Sequence, residues 1–336
     1  MRKFLSIHGI MLLAGLLLAA QLAAAQDSFI GEYEGTYQAD RATRLKASGK
    51  VIAEGPDQYR LVLQAETSPT GETGPTVEIS GVRQGGAVVL SGRANSQHWS
   101  GSISGDTLSA NGHYYDTGFA LTKVSRKSPT EGEKPPDGAV VLLPYEPGKA
   151  PDLSAWAKMK WEAKPDGCME CVPRAGSAQT KQSFGDCKLH VEFKLPLEPD
   201  HFGQDRANSG VHMIGRYEVQ VLDSFGLVPS SGDCGAIYQQ ERPRVNACLP
   251  PGQWQTYDIV FRAPRMNGKQ TVELPRITVM HNGITIHKNF QILGPTSGRQ
   301  PSPNPNAARG PLSLQDHGHP VQFRNIWLVE LPDAQP

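Results

Sequence analysis

Short runs of alternating apolar and polar residues recur along the chain between residues 29 and 124. This period of two is typical of β-strands with one buried face. Gly, Asn, Asp and Ser separate the runs, and the segment 104–107 (Ser-Gly-Asp-Thr) predicts a hairpin turn between two of them. Regularly spaced strands of this kind indicate a small antiparallel β-domain. The predicted strands are 31–37, 59–64, 77–82, 87–91, 99–103 and 119–123.

Longer alternating runs fill the second half of the chain. In the first of them Leu189, Val191 and Phe193 point to one face, whereas His190 and Glu192 point to the other. We therefore expect an all-β chain whose second part is a sandwich with one packed and one polar face. A polar face rich in Asn, Gln, His and Glu favours a groove for a hydroxyl-rich ligand, although a solvated outer face would give a similar pattern. The predicted strands are 187–195, 209–214, 217–222, 256–262, 276–281 and 321–329.

A charged, proline-bearing segment without large apolar residues, 126–137, separates the two halves. Such a composition is typical of a linker. The length of 336 residues also exceeds one ordinary hydrophobic core and favours two domains. We place a small antiparallel β-domain of unknown role at 26–125 and the sandwich domain at 138–332.

The first 25 residues have the features of a secretory signal peptide. Arg2 and Lys3 precede an apolar run that ends in three alanines, so we expect cleavage after Ala25 and export to the periplasm or the extracellular space. The mature chain would carry 31 basic and 33 acidic residues. This balance offers no basic field for nucleic acid or for an anionic membrane surface. No later segment has the apolar length of a membrane span, so stable membrane insertion is not expected.

All five cysteines lie in the second half of the chain, and disulfides are the default state of cysteine in an exported protein. We predict a bond between Cys234 and Cys248, which flank one short segment, and an odd count leaves at least one thiol free. The Cys168-Met-Glu-Cys171 motif lacks both the second close pair of a zinc site and the strand-to-helix turn of a redox site, which indicates a structural role. The cysteines are Cys168, Cys171, Cys187, Cys234 and Cys248.

The first domain carries no cluster of His, Cys or paired carboxylates in its sequence, which favours a role in packing or adhesion. A sugar-binding module is the alternative, because aromatic rings can stack on sugars. Aromatic residues of a small β-domain more often belong to the core. The candidate platforms are Tyr33, Tyr37, Trp99, Tyr114 and Tyr115.

The predicted strand at 217–222 carries the candidate catalytic chemistry. Glu218 and Asp223 are five residues apart with Gln220 between them, and a bulge at 221–222 would bring Asp223 to the same side as Glu218. The segment resembles the catalytic strand of lichenase-type glucanases, in which two glutamates flank an aspartate. Gln220 takes the place of that aspartate and Asp223 that of the second glutamate, so a retaining double displacement is not expected.

Seven segments in a fixed order resemble the 3-keto-disaccharide hydrolase domain family over roughly residues 138–332. The resemblance implies a concanavalin-like jelly roll, in agreement with the alternation above, and it says nothing about residues 26–125. The segments are 208–211 (Asn-Ser-Gly-Val), 217–224 (Tyr-Glu-Val-Gln-Val-Leu-Asp-Ser), 235–238 (Gly-Ala-Ile-Tyr), 251–259 (Pro-Gly-Gln-Trp-Gln-Thr-Tyr-Asp-Ile), 281–283 (His-Asn-Gly), 314–318 (Leu-Gln-Asp-His-Gly) and 323–327 (Phe-Arg-Asn-Ile-Trp).

The resemblance implies cleavage of 3-keto-glycosides. A ketone at C3 acidifies the C2 proton, so a base can remove it and expel the C1 substituent, after which water adds to the enone. Glu218 is the candidate base and His317 the candidate acid or enolate donor, with Asp223 as a further catalytic candidate. The candidate substrate-binding residues, expected on one polar face, are Asn208, Gln220, His190, Glu192, His212 and Arg324.

Several of these residues have structural alternatives. His317 could serve only to hold its loop together with Asp316, Arg324 could be an ion-pair partner, and Asp223 could cap a turn. Convergence of His and carboxylates leaves a divalent metal as an open alternative, but no tight metal-ligand spacing appears and the His317-Gly-His319 motif alone is weak. We therefore expect no cofactor and assign no metal ligands. A non-catalytic glycan-binding protein is the alternative function, because a fold does not determine an activity. In either case the expected partner is a carbohydrate.

Overall fold

A computed structural model describes residues 27–67, 71, 74–114, 116–157, 159–296 and 307–332. The predicted signal peptide and Tyr115 lie outside these residues. Within the described part of the chain, no helix has the length and apolarity needed to cross a membrane. The described residues fold almost entirely into β-strands, as the alternation predicts.

The first eight strands form a closed antiparallel barrel, in which β1 pairs with both β2 and β8. Tyr33, Tyr37 and Trp99 are buried in its core, so these three aromatic residues are core residues. The predicted turn at 104–107 joins β6 to β7, with Gly105 at φ 53°. The strands are β1 Gly31–Gln38, β2 Arg44–Gly55, β3 Gln58–Ala65, β4 Thr76–Gln84, β5 Ala87–Ala94, β6 Gln97–Ser104, β7 Thr107–Gly112 and β8 Gly118–Val124.

The remaining strands form two antiparallel sheets and a short hairpin, β18–β19. A 3₁₀ turn spans Gly203–Asp205. The strands are β9 Val140–Leu143, β10 Trp156–Ala157, β11 Glu162–Ala163, β12 Met169–Glu170, β13 Ala178–Phe184, β14 Cys187–Lys194, β15 Ser209–Met213, β16 Tyr217–Val221, β17 Trp254–Arg262, β18 Arg265–Asn267, β19 Gln270–Glu273, β20 Arg276–His281, β21 Ile284–Gln291, β22 Gly310–Leu314 and β23 Gln322–Glu330.

The two sheets pack face to face around one hydrophobic core. The five-stranded sheet has the order β10-β13-β22-β15-β16, and the eight-stranded sheet has the order β11-β12-β23-β14-β17-β20-β21 with β9 beside β23. Leu189 and Val191 of the larger sheet and Val219 of the smaller one belong to the same core. The predicted all-β fold, a small antiparallel domain followed by a β-sandwich, is therefore confirmed.

Each sheet turns its polar side chains away from this core, so the sandwich has two separate polar faces. Glu218 lies on β16 of the five-stranded sheet, whereas His190 and Glu192 lie on β14 of the eight-stranded sheet. Because residues alternate in direction along a strand, the two sets point to opposite outer faces of the sandwich. The expectation that these residues share one face is wrong.

The predicted linker lies across the outer face of the eight-stranded sheet. Ser128 is buried, and its hydroxyl is 2.6 Å from that of Thr256. The backbone N–H of Gly132 donates to Glu192 at 2.6 Å, and the carbonyl of Glu133 accepts from Asn325. This segment therefore covers the polar groups of that face and separates them from solvent.

Candidate functional site

A row of polar side chains crosses the outer face of the five-stranded sheet. The pairing register places Gln179 of β13 opposite Ser313 of β22, Ser313 opposite His212 of β15, and His212 opposite Glu218 of β16. Ser313, His212 and Glu218 are all buried. Cross-strand neighbours on one face are close enough to interact, so these four groups form one polar surface.

A second row lies beside the first and contains Gly210 opposite Gln220. A Cβ atom on Gly210 would lie 2.3 Å from Oε1 of Glu218. The carboxyl group of Glu218 therefore occupies the space above Gly210, which only the absence of a side chain leaves open. This packing fixes the position of Glu218 on the face.

Burial raises the pKa of Glu218 to about 7. His212, the cross-strand neighbour, has its Nε2 3.6 Å from Oε2 of Glu218, and burial lowers the pKa of His212 to about 4. Burial disfavours the charged form of both groups, so at pH 7 His212 is neutral and Glu218 is about half ionised. Their contact is therefore not an ion pair. Within the described ranges, no lysine or arginine forms an ion pair with Glu218.

Gln220 and Asn208 are joined to the same loop residue. The side chain of Gln220 donates to Oε1 of Gln204 at 3.0 Å, and the side chain of Asn208 donates to the carbonyl of Gln204 at 2.7 Å. Oδ1 of Asn208 is buried and has no hydrogen-bond partner among the residues that the structure describes. Asn208 therefore keeps one acceptor for a ligand, whereas the orientation of Gln220 is already fixed.

Asp223 is placed differently from the expectation. Strand β16 ends at Val221, and its register with β15 from Ser209 to Met213 is regular, so the predicted bulge at 221–222 is not a feature of this strand. Asp223 accepts a hydrogen bond from Nε of Arg206 at 2.7 Å and one from the backbone of Phe225. Both carboxylate oxygens are thus used, in a buried ion pair and a turn cap.

His317 lies in the loop after β22 and is exposed. Its ring stacks beside that of His319, with centroids 6.4 Å apart. Asp316 holds the loop, because its carboxylate accepts from the backbone N–H groups of Arg174, Gly176 and Gly318. Asp316 therefore has the loop-holding role, and the exposed ring of His317 forms no hydrogen bond within the described part of the chain.

The other candidates belong to a buried ionic network on the opposite outer face. Nε of Arg324 donates to Glu192 at 2.6 Å, and Arg324 also pairs with Glu131 at 2.8 Å. The guanidinium lies between the rings of Tyr145 and Trp254, at 4.3 and 4.0 Å from their centroids. Arg324 is therefore an ion-pair partner, which is the structural alternative named in the sequence analysis.

His190 completes this network. Its Nδ1 lies 2.6 Å from Asp258 and its Nε2 3.4 Å from Glu192. Burial alone would lower the pKa of His190, but the hydrogen bonds to the two carboxylates raise it to about 9. Burial would likewise raise the pKa of Glu192, yet hydrogen bonds from His190, Asn325, Gly132 and Arg324 lower it to about 2. Both groups are therefore charged at neutral pH, and each compensates the charge of the other.

Among the residues that the structure describes, two groups of His and acidic side chains converge closely enough to suit a metal ion, and the sequence analysis identifies neither. One consists of Glu198, His201 and His319, and the other of Glu133, His190 and Asp258. In the second group the ring of His190 is already held by hydrogen bonds to Asp258 and Glu192. The first group lies on loops beside Asn208 and Gln204.

All five cysteines are buried free thiols, so the predicted disulfide between Cys234 and Cys248 is not observed. Sγ of Cys234 is 3.2 Å from the hydroxyl of Tyr257, and the thiol of Cys248 donates to the carbonyl of Leu249 at 3.4 Å. Cys168 and Cys171 lie in the core region of the sandwich, in agreement with a structural role for their motif.

The chain is similar to known proteins both in its sequence family and in its structure. Residues 138–329 match the model of the 3-keto-alpha-glucoside-1,2-lyase-like domain. A candidate glycosyl hydrolase of Parabacteroides distasonis ATCC 8503 is 36% identical, with 58% of this chain and 85% of that chain covered and a TM-score of 0.53. No curated protein matches the chain.

Two further candidate glycosyl hydrolases of the same organism are more distant. One is 21% identical, covers 56% of this chain and 99% of its own, and has a TM-score of 0.41. The other is 18% identical, covers 54% of this chain and 90% of its own, and has a TM-score of 0.39. The family model alone spans more than half of the chain. The chain therefore belongs to the family of 3-keto-alpha-glucoside-1,2-lyase-like domains.

Proposed function

We propose that this protein is an exported lyase or hydrolase that cleaves 3-keto-glycosides and that Glu218 is its catalytic base. One observation carries the proposal: Glu218 is buried on a polar sheet face, and burial raises its pKa to about 7. A carboxylate with this pKa is a stronger base than an ordinary one, and about half of it is ionised at pH 7. Membership of the family supports the substrate class, and the leader sequence supports export.

The reaction begins with removal of the C2 proton by the Glu218 carboxylate. The electron pair of the C2–H bond forms a C1–C2 double bond conjugated with the C3 ketone, and the C1–O bond breaks with its pair going to the leaving oxygen. That oxygen takes up a proton, for which His317 is the candidate donor. Glu218 then returns its proton to C2 while the oxygen of a water molecule bonds to C1 and the water's proton goes to His317, which yields the free 3-keto sugar and restores both residues. Each step conserves charge and needs no external oxidant.

Neighbouring groups on the same face fit a sugar substrate and keep Glu218 a strong base. Asn208 offers a buried acceptor without a partner among the described residues, which fits a sugar hydroxyl. His212 is neutral, because burial lowers its pKa to about 4, so it leaves the negative charge of Glu218 uncompensated and the base strong. Asp223 is committed to Arg206, which leaves Glu218 without the second carboxylate that a retaining glucanase requires.

The test is release of the second sugar from 3-keto-trehalose and 3-keto-lactose, compared with their unoxidised parents, by the purified mature protein. We expect release from the keto forms alone. Equal release from the parent sugars would replace the elimination by ordinary glycoside hydrolysis. Release from none of the four, together with measurable sugar binding, would favour the glycan-binding alternative.

The proposed base predicts a specific pH dependence. Because the active form is the carboxylate and its pKa is about 7, kcat/KM for a 3-keto-glycoside should rise about tenfold per pH unit below pH 7 and level off above it. A pH–rate profile from pH 5 to 9 measures this directly. A midpoint near 4.5, the ordinary pKa of glutamate, would show that the base is not a buried Glu218.

The space above Gly210 gives a second prediction. In Gly210→Ala the added methyl group would overlap Oε1 of Glu218, so the carboxylate must move from its position. Because a catalytic group tolerates little misplacement, this movement of the carboxylate should lower kcat/KM by about 100-fold. Gly86→Ala is the matched control, because a Cβ there meets nothing within 4 Å. Unchanged kinetics in Gly210→Ala would mean that the carboxylate position is not critical.

A further inference from the structure

Three metal-ligating side chains meet beside the candidate active site although they are far apart in the sequence. Glu198 and His201 follow β14, and His319 follows β22. Their candidate ligand atoms all lie within 4.8 Å of one another. The pairing of β15 with β22 brings the two loops together, because the backbone of Gln315 donates to the carbonyl of Gly210 at the end of this pair.

The distances suit a single ion. Oε2 of Glu198 lies 2.8 Å from Nδ1 of His319 and 3.3 Å from Nδ1 of His201. Nitrogen and oxygen ligands about 2.1 Å from a tetrahedral or octahedral metal are separated by roughly 3.0–3.4 Å. The three side chains are therefore arranged at nearly the spacing that a shared ion would give them.

The ring of His319 carries a buried nitrogen whose hydrogen-bonding capacity the described residues do not use. His319 is buried, and its Nδ1 has no hydrogen-bond partner among the described residues even though Glu198 is close. Buried polar atoms of this kind are rare because they cost free energy. Asp205 lies 3.6 Å from the other ring nitrogen, and the backbone of Ala207 donates to Glu198 at 2.7 Å. Such outer partners typically orient metal ligands.

We propose that Glu198, His201 and His319 bind one divalent transition-metal ion. Two histidines and one carboxylate favour Zn²⁺, Co²⁺, Mn²⁺ or Fe²⁺ over Ca²⁺ and Mg²⁺, which prefer oxygen ligands. Three protein ligands with an exposed His201 leave coordination positions open to solvent or substrate, the arrangement of a catalytic rather than a structural site.

The catalytic role of this ion rests on the proposed function. Gln204, in the same loop, accepts hydrogen bonds from both Asn208 and Gln220, so the metal-binding loop is tied to the candidate active site. An ion held there would bind an oxygen atom of the sugar and stabilise the negative charge that develops when Glu218 removes the C2 proton.

The test is titration of the chelator-stripped mature protein with Co²⁺, followed by isothermal titration calorimetry and by the visible absorption of the bound ion. We expect one bound equivalent, and in His201→Gln and His319→Gln a loss of affinity of at least about 10- to 100-fold. His113→Gln is the control, since His113 is exposed on the barrel and its ring contacts Ser100. Circular dichroism establishes that each variant is folded, and the exposed His201 makes its variant informative even if His319→Gln unfolds.

Two outcomes would overturn the inference: no Co²⁺ binding by the wild type, or equal binding by wild type and His201→Gln. These outcomes are distinct from failure of the proposed function. Co²⁺ binding without cleavage of 3-keto-glycosides would reject the function and retain the site. Cleavage by metal-free protein that does not bind Co²⁺ would retain the function and reject the site.

Discussion

Glu218→Gln is expected to abolish turnover of 3-keto-glycosides and, at the same time, to stabilise the protein at alkaline pH. The first effect follows because an amide cannot accept the C2 proton, and loss of a general base lowers the rate by about 10²–10⁴-fold. The second effect follows from burial. Gln is neutral at every pH, whereas the ionised carboxylate of Glu218 is held in a site that disfavours charge.

The sign of the stability change is fixed by the pKa shift. Glu218 has a folded pKa of about 7 and an ordinary value of 4.5, so its favourable contribution is fully present below pH 4.5 and is lost as the pH rises through 7. At pH 8 the ionised form costs on the order of 3 kcal/mol of unfolding free energy. Urea denaturation should therefore show a large gain for Glu218→Gln at pH 8 and little change at pH 5.

The control for this experiment is Glu162→Gln, because Glu162 is exposed and its removal should change neither activity nor stability. Retained turnover in Glu218→Gln would reject Glu218 as the base. If the wild type itself shows no turnover while both proteins bind sugar equally, the glycan-binding alternative is favoured. A variant that loses stability at pH 8 would instead show that the carboxylate makes a favourable ionic contact.

The alternation of residues predicted the faces of individual strands correctly but not the arrangement of the sheets. Leu189, Val191 and Phe193 are core residues as expected. The expectation of one shared face for His190 and Glu218 rests on their alternation with core residues. A period of two identifies the buried side of a strand, but it carries no information about which of two sheets the strand joins. That depends on long-range pairing, here of β14 with β17 and β23.

Strands with small inward residues were missed for a related reason. In β2 the inward positions include Ala47 and Gly49, which give a weak hydrophobic signal although Ala47 is buried. Gly49 is enclosed by the side chains of Leu121 and Leu63, so a neighbouring strand supplies the bulk that its own position lacks. Local sequence reading cannot detect packing that is supplied from elsewhere in the barrel.

The candidate site was predictable where one strand carries it and not where loops meet. Glu218, Gln220 and His212 do lie on one face, because β15 and β16 are adjacent, and Asn208 directly precedes β15. The group formed by Glu198, His201 and His319 depends on the meeting of two distant loops, for which the sequence contains no spacing signal. The expectation for Asp223 depends on a bulge, whereas Arg206 holds this residue after the end of the strand.

Glu192→Gln is expected to destabilise the protein by about 3–5 kcal/mol, since removal of one partner from a buried ionic network leaves the others uncompensated. The side chain of Glu192 is fully buried and accepts hydrogen bonds from Arg324, Asn325 and the backbone of Gly132. Glutamine has one acceptor oxygen in place of two, and its NH₂ group would face one of these donors. The charges of Arg324 and His190 would also lose their shared counter-ion.

Urea denaturation at pH 7 measures this change, with Glu330→Gln as the matched control. Glu330 pairs with Arg309 at 2.6 Å, but the two side chains are 37% and 51% exposed, so the control should lose no more than about 1 kcal/mol. The folded fraction of Glu192→Gln should keep its KM, because Glu192 lies on the outer face opposite to Glu218. A raised KM with unchanged stability would instead return Glu192 to the substrate-binding residues, and would mean that the segment at 128–133 leaves this face when substrate binds.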